Sequence, residues 1–281
     1  MKVPSTWVGI VACMLVMSLA STAQAKPEVE YRSEYNISYC DAASTRDDEY
    51  RQQQCKLDIY YPKGAERFAT VVWFHGGGLT EGARYFPDLK DQGIALVAAS
   101  YRLAPRAQTP SFLQDAAAAV AWVIDNIERY GGDPGKVFVA GHSAGAYLAT
   151  MIAMDPRWLA EHRLSHRNLA GVIAVSGQMT THFTIRQLRG DQSPRLRPVI
   201  DEYAPLHHVS KDLPPMCFIV GGRAIEWEAR VEENLLMAAT LRALGHPKVE
   251  IYEMEGLNHG TVEKGGMPVL LDFVRRTSQQ E

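Results

Sequence analysis

Between the apolar run Val137-Phe138-Val139-Ala140 and a helix-forming stretch at 146–154 stands Gly141-His142-Ser143-Ala144-Gly145. A buried strand that passes into a helix within so few residues must turn sharply, and side chains flanking the turn would collide. Glycine at 141 and 145 removes the collision and leaves the Ser143 hydroxyl exposed above a sheet edge. The pattern therefore demands a strand before it and a helix after it, and the rest of the chain alternates in the same way. Segments 57–61, 70–74, 95–100, 137–140, 171–175, 216–220 and 249–252 read as strands. Most are short apolar runs, as in a parallel sheet covered on both faces. Between them, Phe112, Ala116, Val120, Val123 and Ile127 recur at helical spacing, as do Val231, Leu235, Ala238 and Leu241. Tyr130-Gly131-Gly132-Asp133-Pro134 ends the first of these helices. The alternation predicts an α/β fold, a doubly wound and mostly parallel sheet with helices on both faces. Residues 178–208, richer in Arg, Thr, Pro and His, are expected as a small insertion over the carboxyl edge, where such sheets bind ligands.

Lys2, the apolar run 7–20 and Ala23-Gln24-Ala25 read as a signal peptide, 1–25, which predicts an exported, periplasmic or extracellular protein. The run is shorter than the roughly 20 apolar residues of a spanning helix, and no later segment is longer, so no membrane partner is expected. Cys13 resembles a lipidation site, but apolar residues continue past it, which favours simple cleavage. The remainder, 26–281, fits a single domain without repeats or linkers. With 29 Lys and Arg against 32 Asp and Glu and a net charge of −3, the chain has no basic stripe for nucleic acid. Export permits disulfides. Cys40 and Cys55 bracket a polar segment and are a candidate pair, with two free thiols as the alternative; Cys217 reads as a buried core residue.

Serine is a weak nucleophile at neutral pH, so it needs a base within reach and donors aimed at the oxyanion that forms on attack. His75-Gly76-Gly77-Gly78 follows the strand at 70–74, where backbone N–H groups can approach a substrate unobstructed. Gly76 and Gly77, with the Ala144 N–H, are the expected oxyanion donors. His259, in the loop after the last strand, is the expected base by chain order. His142 is read as structural, and His207 and His208 as pocket-lining. The acid that orients the histidine belongs after the strand at 216–220, where Gly221-Gly222-Arg223-Ala224-Ile225-Glu226-Trp227-Glu228 contains no Asp. Glu226 is the first carboxylate and the choice here; Glu228, at the start of the next helix, is the alternative.

So assembled, the chain resembles the α/β-hydrolase superfamily, and within it the carboxylesterases related to hormone-sensitive lipase. The resemblance runs from about 57 to 274. It rests on His75-Gly76-Gly77-Gly78, Tyr101-Arg102-Leu103-Ala104-Pro105, Tyr130-Gly131-Gly132-Asp133-Pro134, Gly141-His142-Ser143-Ala144-Gly145, Ser176-Gly177-Gln178 and Asn258-His259-Gly260. It implies a serine esterase with no metal or organic cofactor, acting through an acyl-enzyme on short-chain esters. Relatives commonly carry Asp where this chain has Ala224; some place a glutamate at the position of Glu226. Export and a polar insertion point to acetyl or feruloyl groups on small-molecule or carbohydrate alcohols. The alternatives are an amidase resembling kynurenine formamidase, against which export argues, and a non-catalytic binding domain, suggested by Ala224.

Overall fold

The computed structural model describes residues 29–40, 48–195 and 197–279; the expected leader and residues 41–47 lie outside them. In chain order the described elements are β1 (Tyr31–Ser38), α1 (Glu49–Gln54), β2 (Lys56–Pro62), β3 (Phe68–Phe74), β4 (Ala95–Ala99), α2 (Ser111–Asn126), β5 (Gly132–His142), α3 (Ala144–Met154), α4 (Pro156–Ala160), β6 (Gly171–Val175), α5 (Phe183–Leu188), β7 (Met216–Gly221), α6 (Arg230–Ala243), β8 (Val249–Met254), α7 (Thr261–Gly265) and α8 (Met267–Ser278). The strands form one sheet in the order β1-β2-β4-β3-β5-β6-β7-β8. β2 runs antiparallel to both β1 and β4, and the other pairs are parallel. This is the expected doubly wound, mostly parallel α/β sheet.

Every residue of β3, β4, β6 and β7 is buried, because side chains that alternate along a central strand enter a core on either face. Val72 and Phe74 join the core packed by α2, α3 and α6, whereas Val71 and Trp73 join the core under α8. Burying one such side chain contributes about 1.5–3 kcal/mol. Edge strand β1 is mostly exposed and mixed in polarity, so it lacks the apolar run that marks the central strands.

The expected Cys40–Cys55 bridge is not formed; both are free thiols. The two side chains hydrogen-bond to each other, and that bond together with burial pushes the Cys55 thiol far above its ordinary range. The same bond pulls the Cys40 thiol below its ordinary range, as two unbridged thiols in hydrogen-bond contact do. Cys217 is buried within β7, as expected.

The turn from β5 into α3 is set by close approach. A Cβ on Gly145 would lie 2.6 Å from the His75 carbonyl oxygen and closer still to that of Phe74; one on Gly141 would lie 2.7 Å from the Phe74 oxygen. Backbone atoms cannot yield as a side-chain tip can. Gly145→Ala should therefore lower the free energy of unfolding by about 3 kcal/mol or more, measured by urea denaturation; a loss below about 1 kcal/mol would contradict the packing described.

Candidate active site

Ser143 follows β5 directly, with φ 54° and ψ −116°. A non-glycine residue in this region carries about 1–3 kcal/mol of strain, held in place by its surroundings. Here the Ser143 N–H donates to the Val175 carbonyl at 2.9 Å, and its carbonyl accepts from the Tyr147 N–H at 3.0 Å. The hydroxyl is left facing the carboxyl edge of the sheet. There Ser143 Oγ lies 2.9 Å from His259 Nε2, and His259 Nδ1 lies 2.8 Å from Glu226 Oε1. Ser143, His259 and Glu226 are thus brought together; Glu228 is exposed and takes no part.

Glu226 reaches His259 because its turn is built on glycine. The carboxylate also accepts the Gly221 N–H at 2.9 Å and the Trp227 N–H at 2.9 Å. A Cβ on Gly221 would lie 2.6 Å from Glu226 Oε2 and 2.6 Å from the Leu257 carbonyl oxygen. Burial works to raise the Glu226 pKa, but the bonds from His259, Trp227 and Gly221 outweigh it and bring it down to about 2. At neutral pH the group is a carboxylate and only accepts, so Nδ1 of His259 carries the proton and Nε2 is free to accept one from Ser143.

His259 is fixed from several sides. Trp227 stacks on its ring at 3.9 Å and 13°, and Ser176 Oγ lies 2.9 Å from Nδ1. The His142 ring hydrogen-bonds through Nε2 to the His259 carbonyl at 2.7 Å. Asn258 Oδ1 accepts the Gly260 and Thr261 N–H groups at 3.0 Å and shapes the loop. The roles of Trp227 and Ser176 depend on residues distant in sequence, although Ser176 stands in the Ser176-Gly177-Gln178 motif; Asn258, in Asn258-His259-Gly260, acts locally, and His142 was read as structural.

The oxyanion candidates flank the same hydroxyl. A Cβ on Gly76 would touch Ser143 Cβ at 3.4 Å, so the glycine backbone lies directly against the serine. Gly77, at φ 99°, takes a conformation that suits glycine, and its carbonyl accepts from the Thr80 and Glu81 N–H groups. Among the described residues, the Gly76 and Gly77 N–H groups have no protein acceptor. Ala144 is the first residue of α3, where an N–H has no intrahelical partner. The cleft above these groups holds about 480 Å³ and is lined by Gly77, Glu81, Ser143, Phe183, Arg195 and Trp227 among others. Phe183 and Arg195 come from the segment between β6 and β7, which overlies the carboxyl edge. His207 and His208, expected to line the pocket, do not: they lie in the turn Pro205–His208, with His208 Nε2 2.9 Å from the Glu202 carbonyl. That turn packs on α3, away from the cleft.

Burial lowers the pKa of His142 to about 4, helped by the nearby His259, and burial likewise depresses His75 and His182. An unfolded histidine binds a proton near pH 6.5, so these groups favour the folded state fully only above that pH. Stability should fall as pH drops from 6.5 towards 4, on the order of 2–3 kcal/mol from His142 alone. Glu226 acts mostly below this window, its contribution being lost progressively as pH falls from about 4.5 through about 2. Urea midpoints should fall across this range and fall less steeply in His142→Gln; equal slopes would contradict a buried neutral imidazole.

Residues 57–169 match the BD-FAE family model. Over 218 residues the chain is 28% identical to Esterase LipC of Mycobacterium tuberculosis, covering 72% of this chain and 52% of that one. It spans about half the length of that relative. Among solved structures, esterase B from Lactobacillus rhamnosis superimposes with a TM-score of 0.70 at 20% identity, covering 92% of this chain and 89% of that one. A truncated carbohydrate esterase from gut microbiota gives 0.69 at 17% identity, with 91% and 99% covered. The chain thus has the α/β-hydrolase fold and is similar to carboxylesterases, as its resemblance to the hormone-sensitive-lipase-related branch implies.

Proposed function

We propose that the protein is a serine carboxylesterase that hydrolyses short-chain esters of acetyl or feruloyl type through an acyl-enzyme. The observation that carries this reading is the unbroken path from Ser143 Oγ to His259 Nε2 and from His259 Nδ1 to Glu226. As Oγ attacks the ester carbonyl, its proton passes to Nε2, and the resulting imidazolium is held against the Glu226 carboxylate. Negative charge gathers on the carbonyl oxygen, where the Gly76, Gly77 and Ala144 N–H groups supply donors; each such donor is worth about 3–4 kcal/mol in the transition state. Collapse breaks the carbon–oxygen bond to the alcohol, which leaves with the proton from Nε2. Water then attacks the acyl-Ser143 bond with His259 again as base, releasing the acid and restoring the serine.

The cleft of about 480 Å³ falls in the lower half of the range for small-molecule sites and Glu81, Gln187 and Arg195 help line it, which supports short acyl groups over long chains. We read the leader pattern at 1–25 as export, so that the substrate is met in the periplasm or outside the cell. A glutamate in the acid's place weakens the case for a non-catalytic domain, which rested on Ala224.

Ser143→Ala should keep the fold and lower kcat on 4-nitrophenyl acetate by at least about four orders of magnitude. Glu226→Gln should lower kcat by roughly 10³–10⁴, whereas Glu228→Gln should change it little. Equal, small effects of the two glutamate changes would move the acid elsewhere. Along a series of 4-nitrophenyl esters, kcat/KM should decline as the acyl chain lengthens; a rise would contradict the short-chain reading.

A further inference from the structure

The arginines around the cleft are unevenly neutralised. Arg186, almost fully buried, pairs with Asp191 at 2.7 Å and donates to the carbonyls of Arg195 at 3.2 Å and Arg197 at 2.6 Å. Arg189 pairs with Asp201 at 2.7 Å, and the buried Arg230 lies 3.5 Å from Glu233. Among the described residues, Arg195 has no carboxylate within ion-pair distance. Its guanidinium carbon instead lies 3.9 Å from the Phe183 ring centre and 5.1 Å from that of Trp227. Two aromatic faces orient the guanidinium without using its N–H groups, and Arg186 fixes the backbone from which it extends. The result is an exposed but oriented cation, with no carboxylate partner among the described residues, at the wall of the cleft that holds Ser143 and His259.

The cleft is polar in direction as well as in composition. Glu81 lines it beside Gly77, on the side of the oxyanion loop. Arg195 stacks on Phe183 and also lies 5.1 Å from the ring centre of Trp227, the residue that stacks on His259. Because His259 must protonate the departing alcohol, its side of the cleft receives the alcohol part of the ester. We infer, building on the esterase reading above, that Arg195 selects esters whose alcohol part carries a carboxylate, that is, acylated hydroxy acids. Glu81 repels the reverse orientation. Hydrolysis adds water across the ester bond and releases the acyl acid and the free hydroxy acid.

The test compares kcat/KM for 4-acetoxybenzoate with that for its neutral analogue, methyl 4-acetoxybenzoate. The ratio of the two should fall roughly three- to tenfold in Arg195→Gln, the range of a partly exposed charge pair, and recover in part in Arg195→Lys. Comparing ratios between enzyme and variant cancels the intrinsic reactivity of the two esters. The wild-type ratio should also decline as sodium chloride is raised, since salt screens an exposed pair. An unchanged ratio in Arg195→Gln would overturn the inference, even if both rates fell together, because that pattern belongs to lost packing on Trp227. Failure of the wild type to turn over either ester would overturn the esterase reading itself, and this one with it.

Discussion

The amino end of α3 rests against the carbonyls that close β3 at a separation that only an absent side chain allows, with Gly145 and Gly141 facing the Phe74 and His75 oxygens. Much at the carboxyl edge of the sheet follows from this contact. It brings the start of a helix, with its unpaired Ala144 N–H, beside the glycine loop that follows β3. It also forces Ser143 into positive φ, so that its side chain projects away from the sheet towards the loops of β7 and β8. A serine elsewhere on the same strand would be buried or would face a helix.

A second close approach, at Gly221, holds the other half of the site. The Gly222 N–H donates to the Leu257 carbonyl at 2.8 Å, which ties the loop after β7 to the loop that carries His259. Glu226 sits in this junction as a carboxylate with three hydrogen-bond donors, so its charge is retained despite burial. Trp227, next in sequence, covers the imidazole that Glu226 orients. Excluding water from that ring strengthens the interaction between the two, because charges attract more strongly where the local dielectric is low. Glutamate in place of aspartate is thus accommodated by the turn geometry, in which the extra methylene spans the distance from a position further along the loop.

Much of this frame was legible in the chain, for reasons that can be stated residue by residue. The central strands announce themselves because burial on both faces requires continuous apolar runs such as Val71-Val72-Trp73-Phe74. Ser143, Gly76, Gly77 and His259 were found from local patterns and chain order, and the structure places them around one hydroxyl. Edge strand β1 was not legible, because exposure leaves it no apolar run, and α8 stands beyond the last motif even though Leu270, Phe273 and Val274 pack under the sheet. Glu226 was chosen over Glu228 in the chain as the first carboxylate after the strand at 216–220; what no spacing rule encodes is the Gly221 N–H bond and close contact that hold it. The bracing of His259 by His142, 117 residues away, is likewise a tertiary fact. The Cys40–Cys55 pairing failed because spacing and compartment can nominate two thiols but cannot say whether they are bridged.

On this geometry the His259–Glu226 pair is expected to make Ser143, among the serines of the described residues, the nucleophile at neutral pH. Reaction with a fluorophosphonate followed by intact and peptide mass spectrometry addresses it directly, because the reagent phosphonylates an activated serine irrespective of the natural substrate. One adduct per chain is expected, on the peptide containing Ser143, formed rapidly by the folded protein and not by the denatured one. No adduct, or an adduct on a different serine, would contradict it.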